Sequence, residues 1–320
     1  MKPETNPLPI HPSSFRLHRF KSTSGYSIDG APAAGKFEGW PETVAELRVL
    51  DPCCGSGHFL VAVFNLLVRL RMREEGLTRE EATDATLRDN VYGLELDPRC
   101  TQIAAFALAL SAWKFVGGYR VLPELNIASS GIAPQGKRAE WVALANGDER
   151  LRDGMERLYD LFKQAPELGS LISPAADGAG TLLSADFVEL QPLLEHALQT
   201  EAAREDAERT EAGVAARGLA RAAEMLTGKY HLVITNVPYL TRGKQAQTLR
   251  DFCERRYPEA KADLATVFVE RCLELCKQGG AAAIVTPHNW LFLSSYKHLR
   301  KRLLQMKTLN MIARLGEGGF

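Results

Sequence analysis

Several absences narrow the field before any motif is considered. The 320-residue sequence has no net charge, because 39 Lys and Arg balance 39 Asp and Glu. That excludes a protein that coats nucleic acid through bulk positive charge. Its cysteines, Cys53, Cys54, Cys100, Cys253, Cys272 and Cys276, form no C-x-x-C pair, and no histidine cluster accompanies them. A zinc site and a disulfide framework are therefore not expected. No apolar run approaches the roughly 18 residues of a membrane span. The opening MKPETNPLPIHPSS lacks the apolar stretch of a signal peptide. No internal repeat is visible. The expected setting is the cytoplasm, away from membranes.

What is present is ordinary for a soluble enzyme: 45% apolar and 24% charged residues. The length suits one large domain or two ordinary ones, at roughly 100–200 residues each. It suffices to bury a core without metals or disulfides. The zero charge hides an asymmetry. Residues 236–320 hold 14 basic and 7 acidic side chains, and the rest of the chain carries the matching acidic excess. A basic C-terminal third can face a polyanion, or it can simply present solvated helix faces of mixed sign.

Residues 1–45 are rich in Pro, Ser and Gly and read as a loose lead-in; residues 46–320 read as one α/β domain. Buried strands are expected at 47–51, 91–96, 182–188, 230–235, 281–286 and 309–315. Helices are expected from Phe59 to Leu70 and from Pro98 to Trp113, with Asp97 as cap. Others are expected at 262–278, stopped by Gly279-Gly280, and at 294–306. Residues 117–180 read as an insertion with short helices such as 150–164. Residues 195–226 read as a long exposed helix interrupted by Gly213 and Gly218. Strands alternating with helices predict a mostly parallel sheet covered on both faces.

Three segments carry chemistry. The first is Asp51-Pro-Cys-Cys-Gly-Ser-Gly57, which ends a strand and opens a helix. Gly55 and Gly57 let backbone N–H groups approach a ligand at a helix N-terminus. Asp51 would repel a phosphate, so a ligand with an amino group and a carboxylate fits better; a Gly-rich turn with no ligand is the plainer reading. The second is Glu95 in Gly-Leu-Glu-Leu-Asp97, at the end of the next strand. A carboxylate there accepts hydrogen bonds from both ribose hydroxyls of a nucleoside, or serves only as a helix N-terminal charge.

The third, Thr235-Asn-Val-Pro-Tyr-Leu240, is the most specific. Val237 precedes proline and is held extended, presenting its carbonyl. The Asn236 side chain offers a second carbonyl beside it. Two neighbouring acceptors match the two N–H donors of an exocyclic amine, and Tyr239 supplies a face on which the amine-bearing ring can stack. A generic turn is the alternative.

Taken in order, DPCCGSG, GLELD, NVPY and GGAAAIVTP, followed by Pro287-His-Asn-Trp-Leu291 and Leu315-Gly-Glu317, make the sequence resemble the class I S-adenosylmethionine-dependent methyltransferases. More narrowly, it is similar to the gamma-class DNA adenine-N6 methyltransferases of type IIG restriction-modification and BREX phage-defence systems. The likeness covers roughly residues 47–115 and 230–320. It implies a Rossmann-like sheet with helices on both faces and S-adenosylmethionine as cofactor. Asp51, Gly55 and Gly57 would line the methionine end, Glu95 would hold the ribose, and Leu96 would pack on the cofactor adenine. Asp186 and Phe187 resemble the family's A-D-F element at that adenine, with Ser129-Ser130 as the alternative. Asn236 and the Val237 carbonyl would bind the target amine, Pro238 would constrain Val237, and Tyr239 would stack on the target base.

Two features depart from the family pattern. Val237 stands where the family usually has proline, and no F-x-T-P-like segment is recognisable in residues 1–45. The resemblance also implies that an aromatic, here Phe320, packs on the base opposite Tyr239. It implies too that the last core strand and a target-recognition domain follow that point, so this chain is expected to lack both, to bind DNA without sequence preference and to methylate little or nothing alone. Lys297, Arg300, Lys301 and Arg302 are candidates for that contact or an ordinary solvated face. DNA, a separate or C-terminal target-recognition domain and other defence-system subunits are the expected partners. Because the Asn-x-Pro-Tyr arrangement serves any planar amide or amidine nitrogen, a protein glutamine or an RNA base is the alternative substrate. A non-catalytic scaffold subunit is the alternative of another class.

Overall fold

The computed structural model describes residues 39–145, 147–174 and 207–314. Five strands form one sheet: β1 (Val49–Asp51), β2 (Val91–Glu95), β3 (Asn126–Ser129), β4 (Tyr230–Asn236) and β5 (Cys276–Val285). Their order is β3-β2-β1-β4-β5, and every pairing is parallel. Parallel neighbours need crossover connections, which the helices supply. These are α1 (His58–Glu75), α2 (Arg79–Asp89), α3 (Pro98–Val116), α4 (Arg138–Ala143), α5 (Glu149–Phe162), α6 (Ala165–Leu168), α7 (Ala207–Thr227), α8 (Gln247–Arg256), α9 (Leu264–Leu275) and α10 (Lys297–Met306).

Strand side chains alternate between two faces. Val91 and Ile127 join Leu60, Phe64 and Val68 of α1 and Ala104 and Leu108 of α3 on one face. Leu50, Leu94, Ala128 and Val233 join Met155, Leu158 and Phe162 of α5, Leu219 and Ala223 of α7, and Val267 of α9 on the other. The capping residues follow the sequence. Thr78 and Glu81 form a reciprocal capping box on α2, and Asp97 caps α3 with Pro98 in its first turn.

Four expectations need correction. The stretch 117–180 contains β3, the edge strand beside β2, and its Trp141, Leu151 and Phe162 sit in the main core. The helix expected over 195–226 is described from Ala207 to Thr227; it runs unbroken past Gly213 and Gly218, and one of its faces is buried through Ala216, Leu219, Ala220 and Ala223. Gly279-Gly280 does not stop a helix. Cys276 already caps α9, and β5 bulges so that Tyr230 pairs with Cys276 while Leu232 pairs with Ala281. Gly279 has φ of +73°, and a Cβ on Gly280 would lie 3.0 Å from the Tyr230 and His231 carbonyl oxygens, so the bulge requires both glycines. Residues 309–314 form no strand and are exposed. The strand expected at 182–188 lies outside the described residues.

One buried cation ties residues 170–172 and the end of α7 to α9. Arg271 of α9 donates to the carbonyls of Ser170 (2.9 Å), Ile172 (2.7 Å) and Leu226 (3.2 Å), and it pairs with Glu274 at 3.3 Å. Removing the guanidinium would leave three carbonyls without that donor in a region water does not reach. Arg271→Ala should cost about 3–5 kcal/mol of stability, measured as a shift of the urea midpoint. A loss below about 1 kcal/mol would show that the segment is held by other means.

Candidate active site

In an open parallel sheet the strands' carboxyl ends face one edge, and a crevice opens there where the strand order reverses. Here the reversal lies between β1 and β4. Asp51 ends β1, Glu95 ends β2, Ser129 ends β3 and Asn236 ends β4. The register sets Asp51 beside Gly93, Glu95 beside Ser129, and Asn236 beside Val285. Four strand ends far apart in the sequence thus converge on one edge.

Asp51 is 1% exposed. Its Oδ1 accepts the Cys53 amide at 3.0 Å. Burial pushes its carboxyl from the ordinary 3.8 up to about 7, with the nearby Glu95 adding in the same direction; the Thr235 hydroxyl and the Cys53 amide pull the other way. Among the described residues no basic side chain is one of the groups that act on it.

The loop after Asp51 is sewn to the end of β2. The Cys54 amide donates to the Leu94 carbonyl at 2.9 Å. The Gly55 amide donates to Glu95 Oε2 at 2.7 Å, and the Asp97 amide to Glu95 Oε1 at 3.1 Å. Gly57 then enters α1 with φ of +86°, and a Cβ there would lie 3.0 Å from Ala104 Cα on α3. Close helix approach and backbone hand both require glycine at that point.

Leu96 follows, 45% exposed. Around it lie the end of β3 and a turn of the connection. The Ser130 amide donates to the Glu95 carbonyl at 2.7 Å, Ser129 Oγ to the Leu96 carbonyl at 3.4 Å, and the Ser130 and Ser170 hydroxyls are 3.1 Å apart. The Ser129-Ser130 pair therefore stands beside Glu95 and Leu96. Asp186, Phe187 and Phe320 lie outside the described residues.

At the end of β4, Asn236 and Pro238 are exposed, Val237 is buried at 3%, and Tyr239 is 49% exposed. The Tyr239 hydroxyl donates to Asn236 Oδ1 at 2.9 Å. Sequence reasoning did not foresee this contact, because it depends on side-chain rotamers. An amide oxygen has two acceptor positions, so one is taken and one remains. The loop beyond is fastened to the start of α9: the Leu240 carbonyl accepts from the Leu264 amide at 2.9 Å and from Gln245 Nε2 at 3.0 Å. Among the basic residues considered for a polyanion, Arg302 is occupied by Glu259 and Glu270, whereas Lys297 and Lys301 are exposed. Among the described residues no group of His, Cys, Asp and Glu is placed to hold a metal.

The sequence profile of the Eco57I restriction-modification methylases matches residues 89–320, and that of the MmeI DNA-methyltransferase domain matches residues 32–124. The chain is 31% identical over 282 residues to the adenine-specific methyltransferase PglX of Lacticaseibacillus casei (strain Zhang), a match covering 87% of this chain and 22% of that one. It is 30% identical over 304 residues to the adenine-specific methyltransferase BrxX of Escherichia coli O9:H4 (strain HS), covering 88% and 24%. The chain spans less than a quarter of the length of these relatives. The solved structure of a DrdV–DNA complex aligns over 81% of the chain at 12% identity with a TM-score of 0.41, too loose a likeness to carry weight.

The Asp51 carboxyl gives a pH test. Its folded value is raised, so its contribution to stability is fully present below about pH 4 and is lost as the pH rises through about 7. Above that, the fold carries a buried carboxylate. Asp51→Asn keeps the shape without the charge. Its melting temperature relative to wild type should therefore rise between pH 5 and pH 8, followed by thermal denaturation without added ligand. A difference that stays constant with pH would mean the carboxyl does not titrate as described.

Proposed function

Because the chain belongs to the family of the Eco57I restriction-modification methylases, we propose that it is the catalytic core of a DNA adenine-N6 methyltransferase that uses S-adenosylmethionine and serves restriction-modification or phage defence. The observation that carries this reading is the convergence of Asp51 and Glu95 with Asn236 and Tyr239 on one edge of the sheet. One pair suits a nucleoside with a cationic amino-acid tail, and the other suits an amine-bearing base. PglX and BrxX, both named adenine-specific methyltransferases, support it.

The residues fit the cofactor. A buried carboxylate on which no basic side chain among the described residues acts suits a ligand ammonium group. Glu95, pinned through both oxygens by backbone amides, keeps further lone pairs for ribose hydroxyls. Leu96 would pack on the cofactor adenine, with Ser129-Ser130 beside it. When bound, S-adenosylmethionine supplies an electrophilic methyl group on a sulfonium.

The chain's own work is on the nucleophile. The adenine amine is weakly nucleophilic because its lone pair is delocalised into the ring. Asn236 Oδ1, through its second acceptor position, and the Val237 carbonyl accept its two N–H groups and draw the nitrogen toward tetrahedral geometry. Tyr239 stacks on the ring and fixes its angle. Orientation and preorganised acceptors are the rate-enhancing elements. The nitrogen sheds a proton to water once it has become cationic, so no strong base is required before attack. The target must leave the helix stack to reach this edge. Partners are DNA, a target-recognition domain and other defence subunits, in the cytoplasm. No helix among the described residues is long and apolar enough to cross a membrane.

Labelled methyl transfer by the full-length protein to DNA, RNA and protein tests the reading, with label expected in DNA alone. Label in protein or RNA instead overturns the DNA assignment. Asn236→Ala should lower the rate by about 10²–10³ with cofactor affinity unchanged in calorimetry. Asp51→Ala should lose cofactor binding itself.

A further inference from the structure

The segment leaving β5 has a feature that the proposed chemistry does not use. Val285 pairs with Asn236, so residues 286–294 leave the sheet from the strand next to the Asn-Val-Pro-Tyr segment. This segment is tightly held. The Trp290 indole donates to Thr286 Oγ1 at 3.1 Å. Arg300 Nη1 donates to the Trp290 carbonyl at 2.7 Å and the Leu293 carbonyl at 2.6 Å. The amides of Phe292 and Leu293 both donate to the Asn289 carbonyl at 3.0 Å. On this fixed frame Phe292 is 75% exposed. The exposed His288 ring packs edge-on against it, with centroids 6.1 Å apart and planes at 70°.

Phe292 and the adjacent Leu293, 49% exposed, together present an apolar surface on this pinned loop. The neighbourhood indicates the occupant. Lys297 and Lys301 are exposed on α10, which directly follows the loop, and the C-terminal third carries the chain's basic excess. Aromatic faces beside basic side chains bind unstacked bases on a phosphate backbone. Taking one base out of a duplex leaves its neighbour with a bare face.

We propose that Phe292, buttressed by His288, is a stacking platform for a DNA base next to the flipped target. This deepens the methyltransferase reading and rests on it. Tyr239 receives the target, Phe292 covers the neighbouring base that has lost its stacking partner, and Lys297 and Lys301 meet the phosphates. Arg300 acts as a positioning residue through the two carbonyls that it holds.

The test is binding of a fluorescein-labelled, adenine-containing single-stranded oligonucleotide to the full-length protein, by anisotropy across a salt series. Phe292→Ala should weaken binding roughly tenfold and leave the salt slope unchanged, because stacking releases no counterions. Phe292→Trp should bind at least as well as wild type. Lys301→Ala should instead flatten the salt slope. An unchanged melting temperature in Phe292→Ala checks the fold, as this side chain is exposed. If wild type binds DNA and Phe292→Ala binds within twofold of it, or loses salt slope, the platform is wrong and the methyltransferase reading stands. If wild type neither binds nor methylates DNA, the parent reading falls and takes this inference with it.

Discussion

The hydrogen bond from the Gly55 amide to Glu95 joins what would otherwise be two independent turns. A parallel sheet brings strand ends to one edge but does not fix the loops that leave them. Glu95 does so, holding the amide at position 55 with one oxygen and the amide at position 97 with the other. The turn after β1 and the start of α3 then move as one unit. Gly57 adds the steric half of the arrangement, bringing α1 against α3 so closely that a Cβ would press on Ala104, at a backbone φ of +86° that favours glycine. Asp51 lies buried beneath this loop and accepts its Cys53 amide.

The other wall is fixed from farther away. Arg271 holds Ser170 through its carbonyl, the Ser170 hydroxyl meets Ser130, and the Ser130 amide meets the Glu95 carbonyl. This line of polar contacts runs from the back of the sheet to the crevice. It shows why residues 117–174 belong to the core: they bring β3 and the turn at Gly169, where a Cβ would lie 2.8 Å from Leu96 Cδ1.

Much of this was legible in the sequence, for identifiable reasons. β1, β2 and β4 are short apolar runs ending in Asp51, Glu95 and Asn236, and each candidate side chain sits where its strand stops. β3 was not legible. Asn-Ile-Ala-Ser has no apolar run, and as an edge strand it is defined by pairing with Tyr92 to Glu95 rather than by its own pattern. Gly279-Gly280 misled for a related reason: glycine ends helices and also permits bulges, and only the presence of β4 decides between them. The apolar residues between Leu309 and Leu315, following a helix, suggested a final strand, but residues 309–314 occupy no sheet position. The Tyr239–Asn236 contact left no sequence signal beyond the spacing.

That contact has a consequence for selectivity. In the resting site, Asn236 Oδ1 already has a donor in the Tyr239 hydroxyl, so no desolvated acceptor waits unpaired. Under the proposed reading an incoming ring competes on unequal terms with water and with the protein's own phenol. A ring that presents an amine adds a bond to a partly filled acceptor. A ring that presents a carbonyl at the same place meets oxygen against oxygen, with the phenol's proton already committed elsewhere. Discrimination between bases would then arise from a donor that the enzyme carries itself, set before any substrate arrives.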